Sequence, residues 1–210
     1  MAEIEYFYSA HSAFAYIGSA SLTEIARRTG ATIVHKPMDL RHAIAEVYPP
    51  EGRQAFRTPA RTAYFFGREI ERWAEHRGVA IMSGRPTHHD NEIELCNCML
   101  IAGLQAGLDT GPLAHAMLEA HWRDDADLAD GETLAGLARA LGMAPEPLLT
   151  AARGAETKAA YEANTREAIA RSVFGSPTYF VGDDMFYGQD HLELVERALA
   201  RPYAGSWPRG

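Results

Sequence analysis

The alternation of apolar and polar positions begins with a strand. Residues 3–8, E-I-E-Y-F-Y, are β-branched and aromatic and predict a buried strand. The loop S-A-H-S follows. From about Ala13 to Thr29, Phe14, Ile17, Leu22 and Ile25 share one side of a helix that stops at Gly30. Residues 31–36, A-T-I-V-H-K, predict a second strand ending at Pro37. A strand–helix–strand run of this kind predicts a right-handed crossover between parallel strands. The pattern then changes. Pro49, Pro50, Gly52 and Pro59 make the stretch from Met38 to Pro59 a long loop or broken helix. A helix from Ala60 to His76 is closed by Gly78, and S-G-R-P-T-H-H-D-N reads as loop. Helices are predicted over about 91–106, 112–122, 131–141, 145–153 and 156–171, with start signals in D-G-E-T-L and A-P-E-P-L-L. The chain finishes with a strand at 178–182, a turn on Gly182-Asp183-Asp184, a short strand at 185–187 and a helix from Asp190 to Leu199.

The order is therefore βαβ, a helical block, then ββα. This predicts an α/β protein: a thioredoxin-like fold with a large all-helical insertion between the βαβ and ββα halves. Residues 1–40 and 172–210 form the discontinuous thioredoxin-like domain in this reading, and 41–171 form the helical insertion domain. Proline removes a ladder hydrogen bond, so Pro177 belongs at a strand start or in a turn. In such a layout the proline before the third strand is typically cis and sits beside the loop that opens the first helix. Ser12 and Ser176-Pro177 are thus expected to meet.

Composition narrows the partners. The chain has 210 residues, 47% of them hydrophobic and 23% charged, with a net charge of -8. That balance argues against general binding to nucleic acid or an anionic membrane, which both favour a basic surface. No apolar run approaches the roughly 18 residues that span a bilayer. The start, M-A-E-I-E-Y, lacks a basic and apolar leader, so a cytoplasmic location is expected. Cys96 and Cys98, in E-L-C-N-C-M-L, point to different sides of a helix. They predict no disulfide and no zinc site, only buried apolar thiols. His88-His89-Asp90 has metal-binding residue types, but neighbours on a regular element point apart. No metal is expected there. The stretch reads as a loop at the site's mouth, with Asn91 capping the next helix.

Two longer motifs carry a family resemblance. E-A-I-A-R-S-V-F-G-S-P-T-Y-F-V-G-D-D-M-F-Y-G-Q-D-H-L resembles the pattern R-x-V-F-G-V-P-T-F followed by W-G-x-D-R-L. Y-F-Y-S-A-H-S-A-F-A-Y-I-G resembles one ending S-P-x-S-Y-L-G, and R-E-I-E-R-W-A is similar too. These belong to the 2-hydroxychromene-2-carboxylate isomerases, grouped with kappa-class glutathione transferases beside the bacterial disulfide oxidoreductases. The resemblance spans about residues 4–201. It implies glutathione as cofactor, Ser12 as catalytic serine, and Ser176 and Pro177 against the cysteinyl part. Tyr187, Gly188, Gln189 and Asp190 would hold the γ-glutamyl end. Ser12 and Ala15 fall where the disulfide oxidoreductases keep C-x-x-C, so dithiol exchange has no dithiol. Ala13, Ala15, Ser176 and His191 replace the family's Pro, Ser, Val and Arg. A homodimer is also implied.

The chemistry fits these residue types. A free thiol titrates near about 8.5, and a hydroxyl donor at a helix N-terminus favours its thiolate. Ser12 also reads as a plain N-cap, and so does Asp190. The substrate implied is a small aromatic 2-oxo acid, so its carboxylate calls for a basic residue. Among Lys36, Arg41, His42, Arg53, Arg57 and Arg61, the choice falls on Arg57, with Lys36, Tyr64 and Asn91 completing the substrate side. The activity implied is a glutathione-dependent isomerase in aromatic degradation. A kappa-like transferase acting on another electrophile, or a non-catalytic thioredoxin-fold binding module, are the alternatives.

Overall fold

A computed structural model of the chain describes residues 2–48, 58–205 and 207. Strands β1 (Glu3–Tyr8) and β2 (Thr32–Pro37) pair in parallel across helix α1 (Ala13–Thr29). Strands β3 (Thr178–Val181) and β4 (Asp184–Tyr187) form a hairpin, and β3 runs antiparallel to β1. The sheet order is β2-β1-β3-β4.

Period-two alternation divides the sheet's faces. Ile4, Tyr6 and Tyr8 enter the large core with Ala15, Ile17 and Leu22 of α1. Phe7 points to the other face and packs with Phe180, Met38, Val173 and Ala168. Arg171 covers that second cluster. Its guanidinium stacks 3.6 Å over Phe180 and pairs with Glu5 at 2.8 Å.

The segment after β2 corrects one expectation. Residues Leu40–Val47 form a regular helix, α2, capped by Asp39, whose carboxylate accepts from His42 N at 2.9 Å. The helix fits because every proline of the stretch falls after it. Pro59–Ala63 begins α3, which runs through a π-helical stretch, Tyr64–Glu69, into α4 (Ile70–Arg77). A single helix was expected here. Helices α5 (Glu94–Gln105), α6 (Gly111–Asp124), α7 (Gly131–Ala140), α8 (Pro145–Ala152) and α9 (Ala155–Ala170) follow close to their predicted places. The final segment is a 3-10 turn, Gln189–His191, leading into α10 (Leu192–Ala200).

The core does not stop at the insertion. Cys98, Leu100, Met117, Trp122 and Leu134 of the helical block join Tyr6, Tyr8 and Ile17 in one cluster. The position of the β1–α1 loop is therefore set by the helical block as well as by the sheet. Among the described residues, no helix is long and apolar enough to cross a membrane.

Candidate active site at the N-terminus of the first helix

Ser12 caps α1 as expected. Its backbone is extended (φ -80, ψ 122), and its Oγ accepts from Ala15 N at 3.3 Å. The residue is 7% exposed. The first turn of α1 carries no acidic side chain, while Arg27 and Arg28 lie in its last turn. Seventeen residues of aligned peptide dipole thus leave a positive end at Ser12 with no carboxylate of α1 to offset it.

The facing wall is the loop before β3. The Ser176–Pro177 peptide bond is cis, as expected for this position. Ser12 Oγ donates to Ser176 O at 3.0 Å, and Ser9 N donates to Ser176 Oγ at 3.3 Å. The two halves of the chain, far apart in sequence, meet at these bonds. Gly188 N donates to Pro177 O at 2.9 Å, which ties the segment from Tyr187 to Asp190 to the same loop. Gly188 has φ 99, a conformation that favours glycine. The Tyr187 ring lies where a Cβ on Gly175 would stand.

Gln189 is fully buried and held by α4. Arg77 Nε donates to Gln189 Oε1 at 3.1 Å and Arg77 Nη2 to Gln189 O at 3.2 Å. The Gln189 side-chain NH2 is buried without a partner. Asp190 does not act as the predicted N-cap, because the 3-10 turn precedes α10. Its exposed carboxylate lies 3.4 Å from His191 Nδ1.

The substrate-side residues are placed less closely together. Arg57 lies outside the described residues. Lys36 pairs with Phe7 in the strand register, and its ammonium meets Glu167 of α9 at 2.9 Å. Tyr64 is half-exposed on the π-helical stretch, beside a depression of about 330 Å³ that it shares with Glu69, Arg72, Trp73 and His76. Asn91 does not cap the next helix as predicted. The chain makes a further turn, α5 starts at Glu94, and Asn91 Nδ2 donates to Asp127 Oδ2 at 2.9 Å.

Several residues around Ser12 were not singled out from sequence. Asn97, fully buried on α5, accepts from Ala10 N at 2.9 Å through Oδ1. Its Nδ2 donates to Ser9 Oγ and Ile93 O, both at 2.9 Å. Trp122 Nε1 donates to His11 O at 2.8 Å. These bonds lock the loop that aims Ser12. The signal for Asn97 was available: it is the one polar residue in C-N-C-M-L-I-A. Cys96 and Cys98 are free, and burial pushes each thiol up to about 12.

The fold and site define a thioredoxin-fold protein with serine at the helix N-terminus. The chain belongs to the DSBA-like thioredoxin domain family, matching it over residues 3–200. It is 28% identical over 200 residues to a 2-hydroxychromene-2-carboxylate isomerase of Sphingobium xenophagum, covering 93% of this chain and 97% of that protein. It is 27% identical to one of Pseudomonas putida over 207 residues, 94% of each chain. A solved 2-hydroxychromene-2-carboxylate isomerase superposes with a TM-score of 0.75 at 22% identity, over 95% of both chains.

Proposed function

We propose that the protein is a glutathione-dependent isomerase. It interconverts 2-hydroxychromene-2-carboxylate and trans-o-hydroxybenzylidenepyruvate, or a close aromatic analogue. The observation that carries this reading is the buried Ser12 hydroxyl at the unopposed positive end of α1, facing the cis Ser176–Pro177 loop. A ligand thiolate between these walls would meet a helix N-terminus and, once the Ser12 hydroxyl turns from Ser176 O, a hydroxyl donor; both favour the anion. The protein's own thiols are buried on α5 and held protonated, so a nucleophilic sulfur has to come with the ligand. The curated relatives named as 2-hydroxychromene-2-carboxylate isomerases support the substrate class.

The residues present suit glutathione. The backbone of Ser176 is available to an extended peptide, as strand addition requires. The buried, unpartnered NH2 of Gln189 supplies a donor beside the Tyr187–Asp190 segment. When bound, glutathione supplies the sulfur that adds reversibly to the conjugated side chain, which allows rotation about the former double bond. Ser12 orients and stabilises that sulfur. The cis-proline loop holds the peptide backbone, and Arg77 fixes Gln189. The reading extends to a role in aromatic degradation, to a homodimer and to a cytoplasmic location.

The test is an ultraviolet assay of chromene and benzylidenepyruvate interconversion, with and without glutathione. Wild type is expected to turn over only with glutathione. Ser12→Ala is expected to lose at least about tenfold in kcat/KM, equivalent to about 1.4 kcal/mol. Glutathione binding without turnover would overturn the isomerase assignment and favour a transferase acting on another electrophile.

A further inference from the structure

Three buried histidines touch in succession, starting from the residue before Ser12: His11 on the β1–α1 loop, His89 on the loop before α5, and His121 on α6. Their hydrogen bonds have a direction. His121 Nδ1 lies 3.0 Å from Ala126 O. A carbonyl only accepts, so Nδ1 carries the proton and the neutral ring's Nε2 is an acceptor. His89 Nδ1 is 3.0 Å from that Nε2, so His89 donates through Nδ1 and keeps a bare Nε2. The other end follows from the acceptors open to a hydroxyl. Ser9 Oγ accepts from Asn97 Nδ2, and among the described residues the only acceptor within reach of the buried Ser9 hydroxyl proton is His11 Nδ1 at 2.8 Å. His11 therefore carries its own proton on Nε2.

The chain delivers one acceptor, His89 Nε2, and one donor, His11 Nε2–H, on adjacent rings whose centroids are 4.9 Å apart. Neither Nε2 is among the fully buried atoms left without a partner. Phe66, partly exposed, lies 6.0 Å from His89, and Trp122 lies 5.2 Å from it. Two aromatic faces thus flank His89, while Arg41, which donates to His89 O at 2.7 Å, and Arg85 bring positive charge near the pair. Burial keeps all three rings neutral, holding each below the ordinary imidazole range.

The geometry points to His89 and His11 as a binding pair for one hydroxyl of an aromatic ligand, with His89 Nε2 accepting its proton and His11 Nε2–H donating to its oxygen. His121 is the positioning residue that fixes the tautomer of His89. The choice of ligand rests on the isomerase reading, in which the opened substrate carries an ortho-hydroxyl. The hydroxyl-recognising pair itself rests on the hydrogen-bond directions.

Calorimetric titration with ortho-hydroxycinnamate and its methyl ether, in excess glutathione, tests it. Wild type is expected to bind the hydroxyl compound about tenfold more tightly than the ether, the worth of one good hydrogen bond. His89→Phe is expected to abolish that preference. His121→Leu is expected to weaken it and His121→Gln, which still accepts from His89, to preserve it. Circular dichroism checks folding, and if His89→Phe does not fold the His121 pair decides. A wild type with no preference, or a preference that survives His89→Phe or His121→Leu, overturns the proposal. Assay of the chromene on wild type in parallel separates the two readings: turnover without the hydroxyl preference condemns only the histidine pair, and the preference without turnover condemns only the isomerase.

Discussion

Ser12 has two duties that an alanine would separate. As an N-cap it satisfies one helix N–H through a long bond of 3.3 Å, so its structural worth belongs at the lower end of the usual range. Ser12→Ala is expected to lower stability by about 0.5–1 kcal/mol in urea denaturation, while turnover falls much further. A loss of both in proportion would make the serine a cap and nothing else. Asn97 is expected to behave in the opposite way. Asn97→Leu leaves Ala10 N–H and the Ile93 carbonyl without this partner in a fully buried setting. Ile93 O keeps Asn97 N and Cys96 Sγ as donors, so Ala10 N–H is the group left unpaired, and at about 1–3 kcal/mol for one buried group a loss of about 1–3 kcal/mol is expected. A denaturation midpoint close to wild type would show that water replaces the amide. At this scale Ser12 was legible because a cap and a motif coincide. Asn97 was not singled out, because a polar residue in an apolar helix acquires its meaning from the loop it faces.

Elements place the two halves of the site. Helix α1 meets the 3-10 turn Gln189–His191 at Gly18, where a Cβ would come within 2.6 Å of Gln189 Cβ. The contact is between side-chain roots, which cannot rotate away. Gly18→Ala is expected to push the turn outward, costing about 1–3 kcal/mol by overpacking and weakening glutathione binding. Thermal denaturation and glutathione titration measure the two effects, and an unchanged midpoint would show that the turn yields freely. Element types were mostly readable from periodicity. The exceptions have local causes. Helix α2 was obscured because prolines crowd the residues after it. The π-helical stretch inside the predicted 60–76 helix changes the backbone spacing without changing the residue pattern. Asn91 and Asp190 looked like caps, yet an extra turn of chain precedes the helix in each case. Cap residues mark a boundary only to within a turn.

For the whole molecule, the buried histidines couple stability to pH. His11, His89 and His121 all titrate below the ordinary imidazole value in the folded protein, His89 at about 3. Burial is the first cause for each. Arg41 and Arg85 add to it at His11 and His89, Asp90 opposes it at His89, and Asp125 and Asp127 oppose it at His121 against His88. Below about pH 6.5 the unfolded chain binds protons that the folded chain refuses, so stability falls as pH falls. Each histidine contributes up to about 1.4 kcal/mol per pH unit in that window. Urea midpoints at pH 7 and pH 5 are expected to fall steeply in wild type and less steeply in His121→Gln. Equal slopes would mean that the rings already titrate freely. The window lies above the carboxylates, whose lowered values affect stability only at more acid pH.

The sequence by itself determined the βαβ and ββα halves, the helical block between them, the serine at the start of α1 and the proline before β3. Each is a local matter of periodicity, a cap or a backbone restriction. Only the tertiary structure decided that Ser12 donates to Ser176, that Asn97 and Trp122 hold the loop, and that three histidines from separate elements cluster, His89 bonded to His121 and His11 against His89. Those contacts join residues as far apart as 164 positions, and no periodicity along a chain encodes which distant side chains share a cavity. Packing chooses them, because buried donors and acceptors must find partners wherever the closed core brings them together.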